Sequence, residues 1–192
     1  MFHAIRSTGL PQSMLSLSCA MFLGDAICQQ IEAKHALKTG RERDPTLSLT
    51  TPSDVFYSMD WGAIDWNVSR SIRMAFTGFF VSGPISQTTY LLAAKYLSNL
   101  STAQRVFAIA AVAPCNITLT MATPHLLAGH SLSKVKEKCY RDVPPTFAMN
   151  SMYWPPALWF TISRVKLLNQ GSVGSLFWLG WSVVLSMFVN RP

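Results

Sequence analysis

The chain has 192 residues, of which 49% are hydrophobic and only 13% are charged, and its mean hydropathy is +0.24. This composition excludes an ordinary soluble domain of this size and indicates a small protein with several membrane spans. The formal net charge of +7 does not indicate nucleic-acid binding, because the basic residues lie in short clusters between apolar runs, as in loops that face anionic lipid headgroups.

The first predicted element is a membrane span from Leu10 to Ile31, which contains one charged residue, Asp25. Gln29 lies one helical turn further along, on the same face. A carboxylate inside a span is energetically costly and indicates either a functional group or a paired structural group. Two interpretations therefore stay open. Asp25 is hydrogen-bonded to a neighbouring helix near the membrane interface, or it lines a pore.

The segment 32–65 is the most polar part of the chain and includes a stretch rich in proline, serine and threonine. It is predicted to be an extramembrane loop inside one transmembrane domain that covers residues 1–192. Tryptophan side chains favour the boundary between lipid and water. Four of them are predicted to be interface anchors: Trp61, Trp66, Trp154 and Trp181.

The run from Met74 to Ala94 has 21 residues and no charged side chain, which is the length of a membrane-spanning helix. Gly78 and Ser82, four residues apart, place small side chains on one face, where another helix can approach closely. Gly83 and Pro84 interrupt the run. A kink or a local unwinding of the helix is expected at this point, since proline lacks a donor and clashes with the preceding turn.

The next apolar run, Val106–Pro124, is predicted to be a third span, with Asn116 among its few polar residues. The segment from Ser131 to Arg141 has a serine at its start and charges of alternating sign. It is predicted to be a short surface helix.

Two uncharged runs end the chain, from Val143 to Ser163 and from Leu167 to Asn190. The first contains Pro155 and Pro156, through which a regular helix cannot pass unbent. The sequence therefore predicts an all-α fold, a polytopic integral membrane bundle of four to five spans with Pro-kinked helices and no β-structure.

Residues that could support catalysis or metal binding are few. His125, His130 and Cys139 lie near one another in the sequence, but their spacing is not that of metal ligands. No activated nucleophile, phosphate-binding glycine loop or pair of carboxylates is found. We therefore expect a protein that is not an enzyme and that has no catalytic residue, no cofactor and no metal.

Several short motifs occur in a fixed order, and together they resemble those of the Mpv17/PMP22 family, small integral proteins of mitochondrial inner and peroxisomal membranes. The resemblance covers nearly the whole chain. The matching positions are Gly24, Asp25, Gln29, Arg73, Gly78, Gly83, Pro84, Tyr90, the segment 129–141, Asn150, Trp154, Pro155, Pro156, Trp181, Leu185 and Ser186.

Other positions depart from the family pattern. Ala108 and Ile109 replace an aspartate-glutamine pair, and Gln87 replaces the histidine that follows the glycine-proline pair. Most of the lost groups are polar side chains that would face the bundle interior or a pore. The resemblance therefore implies the fold more strongly than it implies an activity.

Two functions remain open. Loss of interior polar groups favours a structural protein of the mitochondrial inner membrane, an accessory subunit or scaffold whose partners are membrane lipids and other membrane-protein subunits. The alternative, which the resemblance implies, is a weakly selective channel for small solutes or ions, and the peroxisomal membrane is the alternative location. The possible pore-lining or interhelical polar residues are Asp25, Gln29, Gln87 and Asn116.

The distribution of loop charge predicts an orientation. If the spans are as given above, the first and third connections lie on one side and carry ten of the sixteen basic residues, so both are expected in the matrix. A tag inserted near Ser48 should then be protected from protease in mitoplasts. Cleavage of that tag would reverse the orientation.

Overall fold

The computed structural model describes residues 10–39, 66–165 and 167–190. For residues 35–39 and 167–172 it describes the backbone only. All regular structure in these residues is helical, which confirms the predicted all-α class for this part of the chain. The elements are α1 (Leu10–Thr39), α2 (Val68–Thr77), a π-helical turn (Gly78–Ser82), α3 (Gly83–Tyr96), α4 (Thr102–Ala110), α5 (Ala113–Leu127), α6 (Leu132–Arg164) and α7 (Leu167–Val189).

The helices pack around α1, which contacts α7 and the whole unit of α2, the π turn and α3. Helix α5 packs against α6 and α2, and α6 also contacts α4 and α7. The fully buried apolar side chains come from four different helices and form one core. They include Met21, Met74, Met121, Leu185 and Val189.

Two helical segments have the length and hydropathy of membrane spans, Leu10–Lys34 and Thr102–Leu127. The shorter segment Val173–Val189 is also apolar. The central run predicted as a span is divided by the π turn, with α2 before it and α3 after it. The total of four to five spans therefore stays a prediction.

The π turn lies directly before Pro84, where the sequence predicts a kink or a local unwinding. Within the turn, the Gly83 N–H donates to the carbonyl of Gly78, five residues earlier. A π turn widens the helix by one residue and shifts the register of the backbone hydrogen bonds. The irregularity falls next to the residue that has no N–H to donate.

Glycines bring α1 close to its neighbours. A Cβ atom added at Gly78 would lie 2.8 Å from the Leu17 carbonyl oxygen, and one added at Gly83 would lie 2.8 Å from the Met14 Cα. Helix α1 also approaches α7 closely, because a Cβ added at Gly24 of α1 would overlap the hydroxyl of Ser182 on α7. Only a residue without a side chain permits this backbone separation.

Helix α6 differs from the prediction for the same region. The segment 131–141 was expected to be a separate surface helix, but it forms the first part of one helix that continues to Arg164. That helix also continues through Pro155 and Pro156, and it ends where Val165 adopts an extended conformation with φ −107° and ψ 131°. Contacts of α6 with α5 and α7 stabilise the continuous helix, because tertiary contacts supply most helix stability. A bend at Pro155 and Pro156 stays a prediction.

The interface role predicted for two tryptophans is wrong. Trp154 and Trp181 are 8% and 1% exposed and belong to the core. Their rings contact other aromatic rings, with centroids of Trp154 and Trp178 5.1 Å apart. An indole ring buries a large apolar area wherever helices meet, so composition alone does not place it at the lipid boundary. Trp66 is 40% exposed, and Trp61 lies outside the described residues.

The close approach at Gly78 predicts a difference between two glycine substitutions. Gly78→Ala forces a Cβ against the α1 backbone and should lower the free energy of unfolding by about 1–3 kcal/mol. Gly174→Ala is the matched control, because its Cβ would meet only the Tyr90 hydroxyl at 4.0 Å. Thermal unfolding in detergent compares the two variants. A Gly78→Ala protein as stable as the control would contradict the packing argument.

Candidate functional site

Asp25 on α1 is fully buried and accepts hydrogen bonds from four side chains. Its Oδ1 accepts from Arg70 Nε at 2.8 Å and from Ser186 Oγ at 2.5 Å. Its Oδ2 accepts from Gln29 Nε2 at 2.8 Å and from Ser71 Oγ at 2.7 Å. These donors belong to α1, α2 and α7, so one carboxylate joins three helices.

Arg70 links Asp25 to a second carboxylate. Its Nη1 lies 2.7 Å from Glu32 Oε2, and its Nη2 lies 3.0 Å from Glu32 Oε1. Nη2 also donates to Ser186 Oγ at 3.0 Å and contacts Cys28 Sγ at 3.4 Å. A planar guanidinium is suited to this role, because it presents five N–H donors in a fixed arrangement.

Gln29 fixes the first turn of α2 in addition to its bond with Asp25. Its Oε1 accepts from the Asn67 backbone N–H at 2.8 Å, and its Nε2 lies 3.2 Å from the Asn67 carbonyl. Asn67 is the N-cap of α2, where its Oδ1 accepts from the Arg70 N–H at 3.0 Å. The amide group of Gln29 thus places the helix that carries Arg70.

We call this network the Asp25 cluster, formed by Asp25, Gln29, Glu32, Arg70, Ser71 and Ser186. Sequence reasoning placed Asp25 and Gln29 on one face and left the other four out. Glu32 lies at the start of the predicted loop 32–65 and Arg70 between that loop and the second predicted span, while Ser186 appeared only as part of a family motif. Charged residues just outside an apolar run on two successive predicted spans are the signal that could have indicated a pair.

The other two predicted polar candidates lie elsewhere. Asn116 Oδ1 accepts from Thr120 Oγ1 at 3.3 Å, and Thr120 Oγ1 lies 2.9 Å from Ser82 Oγ. Asn116 also lines a cavity of about 70 Å³ between α3, α4, α5, α6 and α7, together with Asn150 and mainly apolar side chains. Gln87 is half-buried on α3 and is not among the residues that line this cavity.

The described residues contain no group of three or more histidine, cysteine, aspartate or glutamate side chains placed to hold a metal ion. What the Asp25 cluster offers chemically is a set of buried, mutually satisfied charges. Such a set restricts the relative positions of the helices that carry it.

The C-terminal part of the chain matches a known family. Residues 125–186 match the model of the Mpv17 / PMP22 family, in agreement with the motifs found along the sequence. The matched region runs from the end of α5 to the serine that donates to Asp25. No curated protein and no solved structure gives a significant match to the chain.

Coupling between Asp25 and Arg70 is measurable. Asp25→Asn puts an NH₂ donor among groups that already donate, and Arg70→Gln leaves two carboxylates without a guanidinium. Each variant should lower the free energy of unfolding by about 3 kcal/mol, as expected when a buried ion pair loses one partner. The double variant should lose less than the sum by about 1 kcal/mol or more.

Equilibrium unfolding in mixed micelles provides the measurement. Glu137→Gln is the control, because it removes a carboxylate that is exposed on α6, and it should change stability by less than about 0.5 kcal/mol. Strict additivity of Asp25→Asn and Arg70→Gln would show that the cluster is not an energetic unit.

Proposed function

We propose that the chain is a member of the Mpv17 / PMP22 family, whose model matches residues 125–186, and that it is a non-enzymatic accessory subunit or scaffold within a larger complex of the mitochondrial inner membrane. The family match over residues 125–186 and the two apolar helices support a membrane location. The mitochondrial membrane, the partner subunits and the structural role are our proposal. They rest on the pattern of retained and lost side chains and on the geometry of the Asp25 cluster.

The proposal rests on one observation, namely that all the hydrogen bonds described for the Asp25 carboxylate come from protein side chains. This side chain is the strongest candidate for a pore-lining charge, yet its exposed fraction is 0% and both of its oxygens accept hydrogen bonds from protein groups. A carboxylate that sets ion selectivity has to face the ions that pass. Asp25 faces Arg70 instead, which supports a structural role.

A channel is the second candidate, and one observation favours it. The 70 Å³ cavity lies among five helices and includes amide side chains of Asn116 and Asn150. Polar groups that line a cavity between helices are typical of solute pathways in membrane proteins.

Two measurements distinguish the candidates. After mild detergent extraction of mitochondria, the protein should migrate on native gels in a complex far larger than its own 21.3 kDa. Purified protein in planar bilayers should give no conductance, because Asp25 is held by protein donors. A monodisperse small homo-oligomer that conducts would overturn the accessory role.

A matched variant identifies the source of any conductance. Asp25→Asn changes a fixed charge with almost no change in side-chain volume. If conducting wild-type protein loses cation preference in this variant, as measured by reversal potential under a salt gradient, Asp25 acts on the permeating ions. The structural interpretation of Asp25 would then be wrong.

A further inference from the structure

A second cavity, of about 240 Å³, lies at the end of the bundle that carries the Asp25 cluster. It is bounded by the start of α2, the end of α5 with the turn that follows, and the end of α7. Its basic lining residues are Arg70, Arg73, His125 and His130, and its described lining includes no carboxylate. We call this cavity the basic cleft.

The two arginines of the basic cleft differ in how their charge is balanced. The guanidinium of Arg70 is ion-paired with Asp25 and Glu32. The guanidinium of Arg73, one turn later, donates to the hydroxyl of Ser69 at 2.9 Å. It makes no ion pair with a carboxylate within the described ranges. Arg73 therefore supplies positive charge and free N–H donors to the cleft.

The turn after α5 positions the two histidines that line the cleft, His125 and His130. Gly129 has φ 81°, a left-handed conformation that favours glycine. The His130 N–H donates to the His125 carbonyl at 3.1 Å, which brings the two imidazole rings to a centroid distance of 5.5 Å. His125 Nε2 donates to the Val189 carbonyl at 2.8 Å, so this ring is fixed against α7.

Two basic residues in the first part of α6, Lys138 and Arg141, share one carboxylate. Asp142 accepts from Lys138 Nζ at 2.9 Å and from Arg141 Nε at 2.9 Å. Burial works against the ionised form of Asp142, but the bonds from Arg141 and Lys138 outweigh it and hold its pKa below the usual value. Asp142 therefore offsets part of the positive charge of Lys138 and Arg141. Among the lining residues of the basic cleft, Arg73 supplies the positive charge that no described carboxylate pairs.

We propose that the basic cleft binds a phosphate oxyanion, either the headgroup of an anionic phospholipid or a free phosphate-bearing solute. A guanidinium binds phosphate oxygens with two parallel hydrogen bonds, which the free edge of Arg73 permits. Basic pockets between helices, on the side of a membrane with more positive loops, are suited to anionic headgroups. The site requires only the membrane location and does not depend on whether the protein is a subunit or a channel.

The first experiment tests the lipid source with the full-length chain in detergent. Native mass spectrometry with equal amounts of phosphatidylglycerol and phosphatidylcholine should show preferential retention of phosphatidylglycerol. Arg73→Gln should reduce that retention about tenfold, the equivalent of one charge-assisted bond. Lys134→Gln removes the same charge from an exposed position at the same end of the bundle, and it should leave retention unchanged.

The second experiment tests the solute source by isothermal titration calorimetry with inorganic phosphate. Retention of lipid alone identifies a headgroup site, and binding of phosphate alone identifies a solute site. In either case the signal must fall in Arg73→Gln. If Arg73→Gln does not fold, Arg73→Lys and His130→Gln replace it, and each should weaken binding.

Two outcomes would overturn the proposal. One is the absence of both phosphatidylglycerol preference and phosphate binding in the folded wild-type protein. The other is an equal loss of binding in Lys134→Gln and in the cleft variants, because the anion would then respond to general surface potential and not to the cleft.

Discussion

A carboxylate that is removed from water has to receive its hydrogen bonds from protein, and Asp25 imposes this requirement on three helices. An unpaired charge in a bundle surrounded by hydrocarbon is far less stable than a paired one, since no solvent is present to compensate. The donors from Arg70 and Ser186 fix where α2 and α7 lie along α1. The relative register of these helices therefore follows from one side chain.

The short distances within the Asp25 cluster depend on the glycines. The side chains of Ser71 and Ser186 are short, and each reaches Asp25 only if its helix lies close to α1. Gly24 and Gly78 permit that approach, because any larger residue would meet the neighbouring helix. The small residues and the buried charges are thus two parts of one packing arrangement, in which apolar contact sets the distance and the polar bonds set the register.

Contacts between residues close together on one helix could be predicted from the sequence. Asp25 and Gln29 are four residues apart, so helical geometry alone places them on one face. Arg70 and Ser186 are separated from Asp25 by 45 and 161 residues, and no local periodicity reports such contacts. The helical class was predicted for the same reason, since long uncharged runs require internally bonded backbone in lipid.

The errors also have physical causes. Tryptophan was interpreted from its average behaviour, in which it lies at the lipid boundary. In α6, Trp154 is one residue before Pro155 and is buried among aromatic rings of α7. Burial of this part of α6 stabilises the helix on both sides of the prolines. Average preferences fail where tertiary packing supplies the larger energy.

Arg70 and Arg73 lie one turn apart on α2 and differ in whether a carboxylate pairs with them. Arg70 and Arg73 precede the same apolar run and count equally in a tally of loop charge, but Asp25 and Glu32 neutralise Arg70. Topology responds to lysine and arginine and only weakly to acidic residues, so the tally remains the right quantity for orientation. Attraction of an anion responds to the uncompensated charge. Of the two arginines, Arg73 is the one whose charge no carboxylate in the described part of the chain pairs, so it is the arginine that can attract an anion.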